Sequence, residues 1–416
     1  MFRYFIRTIF LLLSFAKVSQ AEIVANWTTL NFQWSSTIDR LAALQYGYYV
    51  PEHNIITNIK VFNDRIFVAV PRWFHGSPAS LNEISSDRRN LLPYPSWGKN
   101  EAGKCHALQC VQSMEINPRD GTMWVIDVGS LSILDHPSGR RDLCPPKLVI
   151  IDLEQNKIIH GYTFDESVVS SSQNFLADIV IDPENERAYI SNTIETSIVV
   201  FDKKTMRAWK VVHPTMRHEE SARELMVNGI EFDGETGIDG IALSADYKTL
   251  YYSALNGKTV YSLPVEYLSL DTSPSTLDAQ IKVAFERPTH SDGMIWSNRS
   301  LYFGGLQAHE VLKWTPDSGN GSIEVVIKDS EHLFWADSFA IDEKQNLWFT
   351  TNKLYEFFTP PLMNFSQGAD ANFRIWKIHI GEDSYLAKTV AGVSTALFAD
   401  CLLIIAMNML FFFGIK

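Results

Sequence analysis

One phrase recurs six times in this chain and constrains the fold more than any other feature. An apolar strand runs into a polar turn, and an aromatic-rich strand follows. The aromatic markers are Phe67, Trp124, Tyr189, Tyr251, Tyr302 and Trp348, spaced 46 to 65 residues apart. The turns contain Asn-Asp, Pro-Arg-Asp-Gly, Pro-Glu-Asn and Ala-Asp-Tyr, which suit tight reversals between antiparallel strands. Helical periodicity is scarce. A period of ~40–60 residues with several strands per unit is the signature of propeller blades. One blade cannot bury both of its faces, whereas six arranged radially bury them against each other. The expected fold is all-β: a six-bladed β-propeller with antiparallel blades, about four strands each, around a central channel. The aromatic markers are expected in the core between blades, not around a cofactor. Residues 26–50 read as extended, with part of them completing the last blade beside residues 373–380.

The ends differ from the middle. Arg3 and Arg7 precede an apolar run, and small residues follow at Ser19 and Ala21, which predicts a signal peptide over residues 1–21. The propeller is then expected over 22–388. Residues 389–416 form an apolar tail interrupted by Asp400. A spanning helix would place that carboxylate near its middle at a cost of ~2–3 kcal/mol. A lipid-anchor signal fits the small residues near Gly392 and the short polar remainder, and is preferred. A buried terminal strand is the third reading. Export gives meaning to four N-glycan acceptor patterns, at Asn26, Asn298, Asn320 and Asn364. The expected location is extracellular, with membrane attachment through the tail.

The formal net charge is −12, and losing the three cations of the signal peptide makes it −15. Such a field disfavours nucleic acid and anionic membrane surfaces and attracts cations. The four cysteines fit no zinc spacing. In an oxidising compartment one disulfide is expected among Cys105, Cys110 and Cys144. Cys105–Cys144 is preferred and Cys110–Cys144 stays open.

Aligning the copies on their markers brings six pairs into register just before each inner strand. They are Thr57-Asn58, Gln112-Ser113, Ala177-Asp178, Asp239-Gly240, Asp292-Gly293 and Asp337-Ser338. A ring holding Asp178, Asp239, Asp292 and Asp337 would focus a negative potential at one channel mouth. Its occupant would be Ca²⁺, held by hard oxygen ligands, or a protonated amine stacked on aromatics. The plainer reading is that each Asp caps a turn, and Asp-Gly is common turn chemistry. No His-Glu-x-x-His, Gly-x-Ser-x-Gly or phosphate-binding glycine loop occurs. No catalytic residue is assigned. Glu115 and Asp127 flank one inner strand pair, where blade packing and proton transfer are both open.

Several motifs resemble one family. Val70-Pro-Arg-Trp73, Gly76-Ser-Pro-Ala-Ser-Leu81, Tyr94-Pro-Ser-Trp97 and Met123-Trp-Val-Ile-Asp127 occur in order. Cys144-Pro-Pro-Lys-Leu148, Phe175-Leu-Ala-Asp-Ile-Val180, Asp239-Gly-Ile-Ala-Leu-Ser244 and Asn372-Phe-Arg-Ile375 continue the series. Together they resemble the yellow/major royal jelly proteins, chiefly from insects, over residues 27–380. The resemblance implies a six-bladed propeller, secretion, and roles in pigmentation and melanisation of cuticle or eggshell. It also implies two kinds of activity. One is binding of aromatic amines or catechol-derived ligands. The other is conversion of dopachrome by an isomerase or tautomerase. It adds Asn352, in Thr350-Thr-Asn-Lys353, as an amine-holding residue. The aromatic expected two positions later is Leu354 here, with Tyr355 adjacent.

Overall fold

The computed structural model describes residues 21–134, 144–232, 234–316, 321–358, 363–366 and 368–387. The signal peptide (Ala21 aside), Asn320 and the apolar tail lie outside them. Six four-stranded antiparallel sheets surround a central axis. Each innermost strand packs on the next: Asn58–Phe62, Val111–Asn117, Leu176–Asp182, Ile238–Leu243, Met294–Trp296 and Trp335–Ile341, the last returning to the first. These are blades 1 to 6. Every aromatic marker sits on the second strand of its blade. Phe67, Trp124, Tyr189, Tyr302 and Trp348 are buried. Tyr251 is half-buried and stacks on Trp296 at 4.6 Å. The markers therefore fill the space between blades, as the apolar alternation requires.

The ring is latched by the chain ends. Glu22–Trp27 pairs antiparallel with Phe373–His379 and makes the outer strand of blade 6, in the order expected of a closed ring. The stretch that follows is not wholly extended. Thr37–Gln45 is an α-helix, started by Ser36, whose hydroxyl oxygen accepts from the Asp39 N–H at 3.1 Å. Ser36 and Asp39 three residues on form a capping pattern, and this local signal outweighs the extended reading.

A second closure involves a segment without a sequence signature. After the last strand, the chain crosses the mouth opposite the aligned pairs. Glu382 accepts from Ser297 Oγ at 2.6 Å and pairs with Arg299 at 3.1 Å on blade 5. Tyr385 is buried. Its hydroxyl accepts from Ile181 N–H on blade 3 at 3.2 Å and lies 3.3 Å from Glu115 on blade 2. Tyr247 of blade 4 donates to the Tyr385 carbonyl at 3.1 Å, and Arg119 of blade 2 donates to the Leu386 carbonyl at 3.2 Å. One short segment thus ties together four blades that are far apart in sequence.

Cys105 and Cys144 form the disulfide, bridging 39 residues. Cys110 is buried outside it. Asn26, Asn298 and Asn364 are exposed. Among the described residues no helix is long and apolar enough to cross a membrane.

Because Tyr385 combines ring packing with buried hydrogen bonds, its truncation should be felt by the whole ring. Tyr385→Ala is expected to cost ~3–5 kcal/mol, and Tyr385→Phe ~1–2 kcal/mol through the lost hydroxyl. Urea unfolding midpoints measure both.

Candidate functional site

The aligned pairs do converge, and backbone irregularity is what turns them inward. In four blades the ladder between the first two strands breaks at the pair. The breaks fall between Val111 and Ser113, Leu176 and Ile179, Ile238 and Ile241, and Ala336 and Phe339. A bulge frees residues from pairing and re-aims their side chains. In blades 1 and 5 the strand begins at or just after the pair.

Gly240 and Gly293 do not make turns here. A Cβ on Gly240 would lie 2.5 Å from the Asp292 carbonyl oxygen, and one on Gly293 would strike the Asp337 carbonyl. The Gly293 N–H also donates to that carbonyl at 2.9 Å. The two glycines are needed because neighbouring blades touch at the axis.

The pairs floor a cavity of about 480 Å³ at this mouth. Asp178, Asp239, Asp292 and Asp337 all line it. Above them stand Trp73, Phe175, Phe232 and Phe358. Trp73 packs against Phe358 at 5.4 Å and Phe175 at 6.2 Å, while Phe232 lies 5.9 Å from Phe358. An acidic floor beneath an aromatic rim is the result.

The floor has two unlike halves. On one side a chain of hydrogen bonds runs from blade 6 to blade 3. Asn58 Nδ2 donates to Ser338 Oγ at 2.8 Å and to Ser113 Oγ at 2.9 Å, and Ser113 Oγ donates to Asp178 at 2.9 Å. Asp178 also accepts from the Ile179 N–H at 2.9 Å and the Ile241 N–H at 3.4 Å. On the other side donors are few. Asp292 accepts from Trp335 Nε1 at 2.6 Å, and Asp337 accepts from Asn352 Nδ2 at 2.6 Å.

Asn352 stands behind Asp337 and does not line the cavity. Its Nδ2 also donates to the Ile56 carbonyl at 2.9 Å, and its Oδ1 accepts from the Leu354 N–H at 2.9 Å. It orients a carboxylate. Leu354 meets the cavity, whereas the Tyr355 hydroxyl accepts from Asn228 at 2.8 Å. Glu115 pairs with Lys60 at 3.3 Å. Asp127 binds Lys147 at 3.1 Å and accepts from the Gln109 and Cys110 N–H groups, each at 2.8 Å. Of the two open readings for these acids, the contacts fit strand packing.

Burial dominates the electrostatics. It pushes Asp239 and Asp337 well above the usual carboxylate range, and the neighbouring carboxylates push them further. Asp292 is pushed up to about 7, against the pull of the Trp335 hydrogen bond. Burial raises Asp178 too, while Lys60, Ser113 and two backbone N–H groups oppose the rise. Like charges this close cannot all ionise together. The floor carboxylates therefore oppose one another's ionisation. Among the described residues no three acidic, histidine or cysteine side chains converge as a metal's ligand set.

Lys60, Trp73, Phe232 and Phe358 were not foreseen as site residues. Trp73 lay in a recognised motif, but nothing local aimed it at the channel. The adjacent Arg72 is held by five backbone carbonyls, including those of Gln109 at 2.6 Å and Pro78 at 2.8 Å, which fixes the loop carrying Trp73.

The fold and this cavity define a six-bladed propeller with an acidic, aromatic-rimmed pocket at one mouth. The chain belongs to the major royal jelly protein family, whose model matches residues 110–385. It is 25% identical to the dopaminechrome tautomerase of Drosophila melanogaster over 392 residues, which span 88% of this chain and 83% of that one. It is also 25% identical to the protein yellow of Drosophila melanogaster over 376 residues, 84% of this chain and 67% of that one. Among solved structures, a luciferin-regenerating enzyme superposes with a TM-score of 0.49 at 10% identity, over 88% of this chain and 97% of that chain. That likeness is too loose to bear on function.

The raised carboxylates have a stability consequence. Asp292 keeps its proton when folded but loses it near pH 4 when unfolded. The folded state therefore binds more protons between about pH 4 and pH 7, and stability falls as pH rises through that window. Above pH 7 the penalty is complete. Asp292→Asn should then unfold later than the parent at pH 8, by roughly 1–3 kcal/mol. At pH 4 the two should differ little. Denaturation midpoints at the two pH values check this.

Proposed function

We propose that this protein is a secreted member of the yellow/major royal jelly group that acts in pigmentation or in melanised extracellular matrix. Its cavity binds an aromatic amine or catechol-derived molecule. The observation that carries this reading is the trio of buried Asp292 and Asp337 and half-buried Asp239, poorly supplied with donors, beneath four aromatic side chains. A protonated amine would supply the missing positive charge and N–H donors, and its ring would stack on the rim. Secretion is supported by the signal-like N-terminus, the Cys105–Cys144 disulfide and three exposed glycan acceptors.

A second reading rests on Asp292, whose burial with a single side-chain donor, Trp335, pushes its carboxyl up to about 7. A general acid or base works best with a pKa near the working pH. An aminochrome tautomerises by losing a proton from a ring carbon while a quinone oxygen gains one, with no oxidant consumed. Two carboxyls in different protonation states supply both transfers. The relative named dopaminechrome tautomerase covers most of this chain, which favours testing that reaction first.

Purified protein should bind dopamine, used as a probe, and the affinity should fall as pH is lowered through about 7. The sign follows because protonation removes the charge that attracts the cation. Calorimetry at pH 6 and 8 measures it. If the tautomerase reading holds, loss of dopaminechrome absorbance is accelerated, and Asp292→Asn lowers kcat/KM by ~10²–10⁴-fold. Binding without turnover would leave the carrier role. Neither binding nor turnover would leave a purely structural one.

A further inference from the structure

Two of the floor carboxylates are held by neutral donors, and the two donors are neighbours in one ladder. Trp335 opens the innermost strand of blade 6, Trp335–Ile341, and pairs across the ladder with Asn352. Trp335 Nε1 donates to Asp292 Oδ2 on blade 5 at 2.6 Å, and Asn352 Nδ2 donates to Asp337 Oδ2 at 2.6 Å. Trp335 is fully buried, and its ring is packed between two others. Phe232 lies 5.0 Å from it and Tyr355 6.4 Å. Asn228 Nδ2 donates to the Tyr355 hydroxyl at 2.8 Å. Asn228 and Phe232 belong to one hairpin, whose strands Leu225–Val227 and Ile230–Phe232 pair with each other. That hairpin packs on the helix Leu354–Phe357 of blade 6. The indole therefore stands between the aromatic rim and the acidic floor.

The chemistry of the donor decides which oxygen is available. An indole N–H donates only and cannot accept. It holds Oδ2 as an acceptor, so a proton on this carboxyl resides on Oδ1. Other charged groups surround Asp292. Asp178, Asp239 and Asp337 share the cavity floor from blades 3, 4 and 6, with Lys60 of blade 1 and Glu235 on the same wall. Lys60 is engaged by Glu115 and the Phe339 carbonyl, and Glu235 by Arg223. Arg287 precedes the strand of Asp292. Its guanidinium donates to the Ser291, Ala254 and Gly257 carbonyls and to Ser253 Oγ. His290 binds the Ala222 carbonyl at 2.6 Å. Among the described residues, the hydrogen bond to the Asp292 carboxylate comes from Trp335 and from none of these groups.

We propose that Trp335 is a positioning residue: its indole N–H pins Asp292 Oδ2, so that Oδ1 is the oxygen that meets a ligand's cation or exchanges its proton. This rests on the functional reading above and deepens it by assigning the task to one atom. The proton moves between Oδ1 and the ligand, and the indole retains its own throughout. Asn352 pins Asp337 in the same manner, because its own Oδ1 is occupied by the Leu354 N–H and its Nδ2 is left to donate. A cross-strand pair on one blade thus aims two carboxylates. Phe232 lines the cavity and packs on the same indole, so one side chain sets the rim and the floor together.

The test compares the whole parent chain with Trp335→Phe, which keeps a ring between Phe232 and Tyr355 and removes the N–H. Loss of a donor to the ionised carboxylate favours its protonated form. The pH at which thermal stability finishes falling should therefore move up by roughly one unit. The midpoint of dopamine affinity against pH should move the same way. In an Asp292→Asn background the substitution should shift neither profile. A third readout needs no change at Trp335. In the parent labelled with ¹⁵N at the indoles, the Trp335 N–H resonance should move as pH passes through about 7, and Asp292→Asn should abolish that movement. A role in packing alone would lower stability equally at every pH. That result, or no indole resonance that titrates through Asp292, overturns the proposal. If Trp335→Phe does not fold, the resonance in the parent decides. Failure of the parent to bind dopamine would count against the functional reading, while the stability profile and the resonance would still decide the role of Trp335.

Discussion

Six inner strands share one axis, and the space around that axis cannot hold a side chain at every position. The crowding is clearest where blades 4, 5 and 6 meet. There Gly240 and Gly293 let one backbone touch the carbonyl of the next blade. Bulges in the neighbouring strands turn Asp239 and Asp337 into the remaining space. Close approach of backbones thus decides which residues face the channel, and the channel-facing residues decide the chemistry. The aromatic packing between blades serves the same end by holding six strands at that distance.

The floor works against the fold that carries it. Burying a carboxylate without a full set of donors is unfavourable, and the chain does so with Asp292 and Asp337 within one cavity. Around the remainder of the ring a chain of hydrogen bonds runs, although Thr57 Oγ1 and Asn58 Oδ1 are buried without a partner among the described residues. Asn58, Ser113 and Ser338 hydrogen bond around half of the axis, and Lys60 supplies a cation below it.

The two mouths of the channel are unlike for a physical reason. One is open between aromatic side chains, and its cavity reaches the acidic floor. The other is crossed by the segment carrying Tyr385, which hydrogen bonds to blades 2, 3 and 4. Sealing the underside shields Lys60 and Glu115 from water. The electrostatic interactions of the floor are correspondingly stronger than they would be in an open pore. Ring closure through Glu22–Trp27 and this underside segment therefore bears on the site as well as on stability.

The sequence by itself determined the six repeats, the aromatic second strands, the latch between the chain ends and the four aspartates in register. Each of these is a local pattern repeated at intervals, so it can be read without knowing what lies beside it. The helix Thr37–Gln45 was equally legible from Ser36 and Asp39, although the extended reading passed over it. Tertiary structure alone decided that Asp-Gly at 239–240 and 292–293 marks contact between blades and not a turn. It also decided that Asn352 orients Asp337 from behind, that Trp73 and Phe358 share a rim, and that Lys60 pairs with Glu115 of the next blade. These pairs come from different blades, tens to hundreds of residues apart. Closure of the ring creates their proximity, and no local pattern in the chain encodes it.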